Sequence, residues 1–142
     1  MRGRFFAFDD GFAPVCWDLS LARERDMLTL ICGLPNAGKT TLSRRFANVV
    51  HVDEVRRRRD VLQAVAAADD VCVEGVFERR SERLAVLRAY EGTRTRCILV
   101  DESAAESIAR ERRGRPAWAL RACAQRFERP SADEGWGELL VL

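Results

Sequence analysis

The amino-acid sequence predicts an α/β fold built on a five-stranded, mostly parallel sheet covered by helices on both faces. Three observations predict it. Short apolar runs alternate with segments of about 10–15 residues that carry helical periodicity, the signature of βαβ units. The runs are apolar throughout rather than alternating in polarity, as strands buried on both faces are. The first such run, Met27-Leu28-Thr29-Leu30-Ile31-Cys32, leads straight into a glycine-bounded loop and then a helix.

The elements follow in order. Residues 27–32 read as the first strand of the core, and a helix continues through Thr41-Leu42-Ser43-Arg44-Arg45-Phe46. Val49-Val50-His51-Val52 reads as the second strand, and residues 54–67 as a helix with Val55, Leu62, Val65 and Ala66 on its apolar side. The third strand is Val71-Cys72-Val73-Glu74-Gly75-Val76, and the next helix spans residues 81–90, capped by Ser81. Residues 95–100 form the fourth strand. Ser103 followed by Glu106 is a capping-box pattern that opens another helix, which Gly114-Arg115-Pro116 breaks before a new one over residues 117–127. Leu139-Leu140-Val141-Leu142 closes the sheet. Ahead of this core, residues 1–26 are an N-terminal extension. There Phe5-Phe6-Ala7-Phe8 and Val15-Cys16-Trp17 flank Asp10-Gly11 and could pair as a hairpin. No repeat, linker or low-complexity tract divides the 142 residues, so a single domain is expected.

Gly33-Leu34-Pro35-Asn36-Ala37-Gly38-Lys39-Thr40 fits the phosphate-binding pattern G-x-x-x-x-G-K-[ST] without a mismatch. Each position has its own reason. Gly33 and Gly38 let the backbone turn with positive φ and approach an anion closely. Successive amides around Asn36, Ala37, Gly38, Lys39, Thr40 and Thr41 then point inward at phosphate oxygens, and the helix N-terminus adds partial positive charge. Lys39 should reach the β- and γ-phosphates, and Thr40 should offer its hydroxyl to Mg²⁺. Lys39 is also the sole lysine among 24 basic residues. A guanine-reading segment usually needs a second lysine, and a large motor ATPase needs more chain, so a compact ATP-dependent kinase is the expected class. Asp53 follows the second strand, where parallel sheets bind ligands. A carboxylate there can take the proton of an attacking hydroxyl, although it could equally cap the following helix. Arg56, one turn on, can share that face and hold an anionic group of the acceptor. In the run Arg56-Arg57-Arg58-Arg59 the remaining guanidinium groups point elsewhere on a helix and read as a solvated face.

Asp53-Glu54-Val55-Arg56 resembles the D-x-x-R element of 5′-hydroxyl polynucleotide kinases. Phe127-Glu128-Arg129-Pro130-Ser131-Ala132-Asp133-Glu134-Gly135-Trp136 resembles the F-E-x-P-x-x-x-E-G-aromatic stretch in the kinase module of polynucleotide kinase-phosphatases. The resemblance implies a P-loop NTPase fold with strand order 2-3-1-4-5 and a helical lid. It implies Asp53 as general base and Arg56 as the grip on the phosphate 3′ to the acceptor nucleoside. It further implies two lid arginines on the donor phosphates, Arg110 and Arg113, with Arg112 and Arg115 as rivals. Glu74 matches the acidic residue that binds Mg²⁺ or orients Asp53 and Arg56. The implied partners are ATP and a hydroxyl acceptor, a single-stranded nucleic-acid end or a nucleotide. No phosphatase domain accompanies it: Asp9-Asp10-Gly11 has Phe8 where that motif needs its nucleophile. Two other readings stay open, a kinase for a small-molecule hydroxyl and a non-enzymatic ATP-binding regulator.

Composition narrows the setting. Formal net charge is +2, too small to argue for nucleic acid by itself. No apolar run approaches the roughly 20 residues of a membrane helix, and the basic start stops at Asp9-Asp10 before an export signal could form. The five cysteines match no zinc or redox spacing and read as reduced thiols in a cytoplasmic protein. The single histidine, His51, reads as a strand residue rather than a catalytic one. Asp101 reads as a partner of Ser103 at the start of the fourth helix.

Overall fold

The computed structural model describes the backbone of residues 2–7 and 11–16 and the whole of residues 26–142. Seven strands, β1 (Arg2–Ala7), β2 (Gly11–Cys16), β3 (Met27–Cys32), β4 (Val49–His51), β5 (Val71–Glu74), β6 (Arg94–Leu99) and β7 (Glu138–Val141), form one sheet in the order β2-β1-β7-β6-β3-β5-β4. The five strands from β3 onward run parallel. Counted from β3 as the first, their order is 2-3-1-4-5. β1 and β2 pair antiparallel with Phe6 opposite Phe12, and β1 adds antiparallel to the outer edge of β7. The sheet therefore extends two strands beyond the parallel core.

Five helices cross between the parallel strands: α1 (Lys39–Ser43), α2 (Arg58–Ala67), α3 (Arg80–Ala89), α4 (Ala104–Ala109) and α5 (Ala117–Arg126). Successive side chains of a strand point to opposite faces, and the core divides accordingly. Leu28, Leu30 and Cys32 of β3 join Val61 and Val65 of α2, Val86 of α3 and Trp136 on one face. Ile31 joins Leu42 of α1, Cys72, Ile98 and Leu140 on the other. All six residues of β3 are buried, which is why its sequence shows no alternation. The thiols of Cys32, Cys72 and Cys97 are free and buried within these layers, while Cys123 is half-buried on α5.

Local boundaries depart from the sequence expectation in four places. The helix expected from residue 54 begins at Arg58, because residues 52–54 form a 3₁₀ turn and Val55 and Arg57 are extended. Ser81 caps nothing. Arg79 occupies the cap position of α3, and the Glu82 carboxylate accepts its backbone N–H. Ser103 does cap α4, accepting the Glu106 amide, but the helix ends at Ala109, so residues 110–116 are an irregular lid segment. Asp101 takes no part in that cap; its carboxylate accepts both Nη groups of Arg129.

Candidate active site

The carboxyl ends of β3, β4, β5 and β6 lie along one edge of the sheet, and the phosphate-binding pattern forms the loop that leaves β3. Gly33 turns at φ 154° with its amide on the Val76 carbonyl. A Cβ there would stand 2.6 Å from the Val100 carbonyl oxygen, so a larger residue would push the loop off β6. Asn36 and Gly38 take left-handed conformations, φ 70° and 95°. A Cβ on Gly38 would meet nothing within 4 Å. That open space faces the first turn of α1, whose leading amides have no acceptor within the helix. Lys39 is buried and donates from Nζ to the Leu34 carbonyl at 2.7 Å, which arches the loop over its own side chain. Burial holds its ammonium below the ordinary pKa of 10.5, against the attraction of Glu74 and then Asp53.

A cleft of about 310 Å³ opens here. Its floor is Asn36, Gly38, Lys39, Thr40 and Thr41 of the loop. Asp53, from the 3₁₀ turn after β4, and Glu74, the last residue of β5, stand along one wall. Arg110, Arg113 and Arg115 of the lid segment close the opposite side. Loop, carboxylates and lid arginines, up to 79 positions apart, thus converge on one space. Gly33 and Ala37 shape the loop from behind and do not line the cleft.

Glu74 is buried, and its Oε2 is fixed by the Nδ1 atom of His51 at 2.8 Å. The two residues pair across β4 and β5. Sequence reading assigned His51 to the strand but missed this contact, since nothing local marks which residue a neighbouring strand will bring opposite. Among the described residues no group of three or more His, Cys, Asp or Glu side chains is arranged to hold a metal unaided. One hydroxyl (Thr40) and one carboxylate (Glu74) is instead a donor set that suits Mg²⁺, which keeps waters and fills its octahedron with substrate phosphates.

The lid is pinned to the loop through Asn36. Its Nδ2 donates to the Ser107 carbonyl at 2.9 Å and to Glu111 Oε1 at 3.0 Å, and its Oδ1 accepts Arg115 Nη2 at 3.2 Å. Ser107 Oγ adds a bond to the Pro35 carbonyl at 2.6 Å. The Arg115 fork on Glu111, with Asn36 behind it, pushes that carboxyl down to about 2. Arg110 reaches back to Glu102, 2.8 Å from Nη1 to Oε1. The lid arginines thus meet the cleft from an irregular segment, not from the helix expected to run as far as Gly114.

Two sequence expectations fall outside this convergence. Arg56 is exposed, follows the extended Val55, and is not among the cleft residues. The one-turn relation to Asp53 does not hold because no helix spans them. Within the C-terminal stretch, Glu134 and Trp136 are buried structure. Glu134 accepts from Arg83 Nε at 3.0 Å and Nη2 at 2.9 Å and from the Trp136 indole at 3.2 Å. Arg83 in turn donates to the carbonyl of Phe77, whose φ of 47° places it in the left-handed region.

No family model matches the chain, and no curated protein matches it in sequence. Its fold is similar to solved structures. A gluconokinase from Sinorhizobium meliloti 1021 superposes with a TM-score of 0.63 over 78% of this chain and 80% of that one, at 13% identity. The structure of APE1195 superposes with a TM-score of 0.56 over 85% and 86%, at 24% identity. These likenesses establish a shared fold. No helix among the described residues is long and apolar enough to cross a membrane.

Proposed function

We propose that the chain is an ATP-dependent phosphotransferase, a P-loop kinase that moves the γ-phosphoryl group to a hydroxyl, with the 5′-hydroxyl of a nucleotide or polynucleotide end as acceptor. The observation that carries the reading is the convergence of Lys39, Thr40, Asp53, Glu74, Arg110 and Arg113 on one cleft at the carboxyl edge of the parallel sheet. In it the amides of residues 36–41 cradle the β- and γ-phosphates. Lys39 leaves the Leu34 carbonyl for them, and Arg110 and Arg113 neutralise charge on the transferring group. Thr40 and Glu74 would hold Mg²⁺, which when bound would supply positive charge to offset that of the phosphates. The acceptor oxygen bonds to the γ-phosphorus as the bond to the β–γ bridging oxygen breaks, and the acceptor proton passes to Asp53. Positioning and electrostatics supply most of such catalysis.

Radiolabelled ATP with a 5′-hydroxyl oligonucleotide tests the reading. Wild type should transfer label, and Asp53→Asn should reduce the rate by about 10²–10⁴-fold, the usual share of a general base. No transfer, or undiminished transfer by the variant, overturns it. A second reading, a kinase for a small-molecule hydroxyl, is favoured by the position of Arg56 outside the cleft. A 3′-phosphorylated nucleoside compared with its unphosphorylated form separates the two, since only the polynucleotide reading requires preference for the former.

A further inference from the structure

Three lid arginines line the phosphate cleft, and their guanidinium groups are engaged to different degrees. Arg115 is committed: Nε and Nη2 donate to Glu111, and Nη2 also to Asn36. Arg113 is exposed and has no polar partner among the described residues. Arg110 stands between these extremes. Its Nη1 lies 2.8 Å from Glu102 Oε1, yet neither oxygen of Glu102 accepts a hydrogen bond. The pair is therefore Coulombic, and the N–H bonds of Arg110 aim away from the carboxylate. A buried polar group without a hydrogen bond calls for an explanation.

Glu102 stands on a fixed platform. Just before it, the Val100 amide donates to the Cys32 carbonyl at 2.9 Å and the Asp101 amide to the Leu142 carbonyl at 3.0 Å. Just after it, Ser103 caps α4. The Glu102 side chain is 3% exposed, against 59% for Arg110, so a buried anchor faces an arginine that reaches into solvent. Arg129 is held by the Asp101 carboxylate instead. Burial raises the pKa of Glu102 above the ordinary 4.5; Arg110 pulls it down, Glu106 of α4 pushes it up, and Lys39 of the loop pulls it down, in that order of size. An exposed arginine samples many rotamers, and ordering it on a phosphate costs entropy. A fixed negative charge beside the cleft restricts it beforehand. Because that attraction spends no N–H, the donors remain for phosphate oxygens. We propose that Glu102 is a positioning residue: its buried carboxylate holds Arg110 at the edge of the cleft, with its N–H donors left for the transferring phosphoryl group. The inference rests on the phosphotransferase reading above, which supplies the group that Arg110 meets.

The test follows label leaving the γ-position of ATP, to the 5′-hydroxyl oligonucleotide or to water. Glu102→Gln keeps the shape and removes the charge. It should lower kcat by about 10–100-fold, the scale of misplacing a reacting group by about 1 Å, while KM for ATP rises by no more than about threefold. Arg110→Gln should cost about 10²–10³-fold, as loss of one oxyanion donor does. In that background Glu102→Gln should cost less than about twofold more, because Glu102 acts through the arginine. The pH profile is a second readout. Wild-type Glu102 takes up a proton as pH falls through its raised pKa and stops drawing Arg110, whereas Glu102→Gln is neutral throughout. The ratio of wild-type to variant kcat should be largest near neutrality and approach unity as pH falls toward 4.5. Loss of the Asp53 base is common to both proteins and cancels. A merely structural Glu102 gives equal losses in both backgrounds and a ratio independent of pH. Either result, or an unchanged kcat in Glu102→Gln, overturns the proposal while the phosphotransferase reading stands. No label leaving ATP in wild type overturns both. Should Glu102→Gln fail to fold, Glu102→Asp decides, since it keeps the charge on an arm one methylene shorter. Its kcat should fall by about 3–10-fold in wild type and hold steady in Arg110→Gln; equal losses in the two backgrounds overturn the proposal.

Discussion

Two buried glutamates, Glu74 and Glu134, sit on opposite sides of the same question: what a carboxylate does once water has been removed. Glu134 is spent on structure. Burial pushes its pKa up, but the Arg83 fork and the Trp136 indole more than offset that, so it titrates below its ordinary 4.5. The stabilisation this represents is complete above pH 4.5 and is lost as pH falls through the lower folded value. Arg83→Met should destabilise the fold by about 3–5 kcal/mol at pH 7, the usual consequence of leaving one buried charge without its partner. It also frees the strained Phe77 carbonyl. In the variant the pH dependence should reverse, because an unpaired buried carboxyl prefers its neutral form: stability should rise, not fall, as pH drops toward 4. Urea midpoints from pH 7 to pH 3 check both the size and the sign. Glu74 keeps one edge for the cleft while His51 holds the other. His51→Ala leaves Oε2 unpaired and the carboxylate free to rotate. The Mg²⁺ concentration that supports half-maximal ATP affinity should then rise about 10-fold or more, as removal of an orienting partner typically does. An unchanged Mg²⁺ requirement would count against Glu74 as a metal-facing group.

At the scale of elements, the parts written in contiguous residues were readable and the parts written in contacts were not. The loop of residues 33–40 carries its chemistry in consecutive positions, and the fully apolar β3 announces a sheet covered on both faces. Strand order followed from resemblance, and the register of the sheet agrees with it. The helix after β4 was misread at its start because four arginines in a row fit a helix by propensity but provide no side-chain cap. The structure leaves Val55 and Arg57 extended and begins the helix at Arg58. The resemblance implies a helical lid that carries Arg110 and Arg113. Instead it is an irregular segment held by Asn36, Glu111 and Arg115, partners 75 and 79 residues from the loop. No local pattern encodes such a clamp. Asn36→Ala removes three of the polar contacts that join loop and lid. Each is worth about 0.5–1.5 kcal/mol, so ATP affinity should fall on the order of tenfold. Hydrogen exchange should accelerate over residues 107–116 while β3 and β5 keep their protection. Unaltered exchange in the lid would show that the clamp is not what orders it.

On the scale of the whole molecule, the sheet has two ends with different duties. β4, β5, β3 and β6 bring their carboxyl ends to the cleft, whereas the far end is finished by the hairpin of β1 and β2. β7 stands between. It pairs parallel with β6 on one side, and on the other it meets β1 through Arg4 opposite Val141, Phe5 opposite Leu140 and Phe6 opposite Leu139. Without the hairpin, the apolar strand Glu138–Val141 would become an edge, a row of unpaired amides and carbonyls that can template pairing with another chain. The hairpin therefore covers the outer edge of β7. Deleting residues 1–26 should leave ATP affinity within about threefold of the full chain, since β7 and β6 stand between β1 and the β3 strand that carries the phosphate-binding loop. The same deletion should promote concentration-dependent self-association, visible as a rising weighted-average mass in sedimentation. Placing Lys at position 140 or 142 in the truncated chain tells the cause apart. Leu140 is buried in the core, so a charge there should unfold the protein, whereas a charge at the half-buried Leu142 should suppress association by guarding the bare edge. Association that ignores the Leu142→Lys change would mean that the new contact lies elsewhere than on β7.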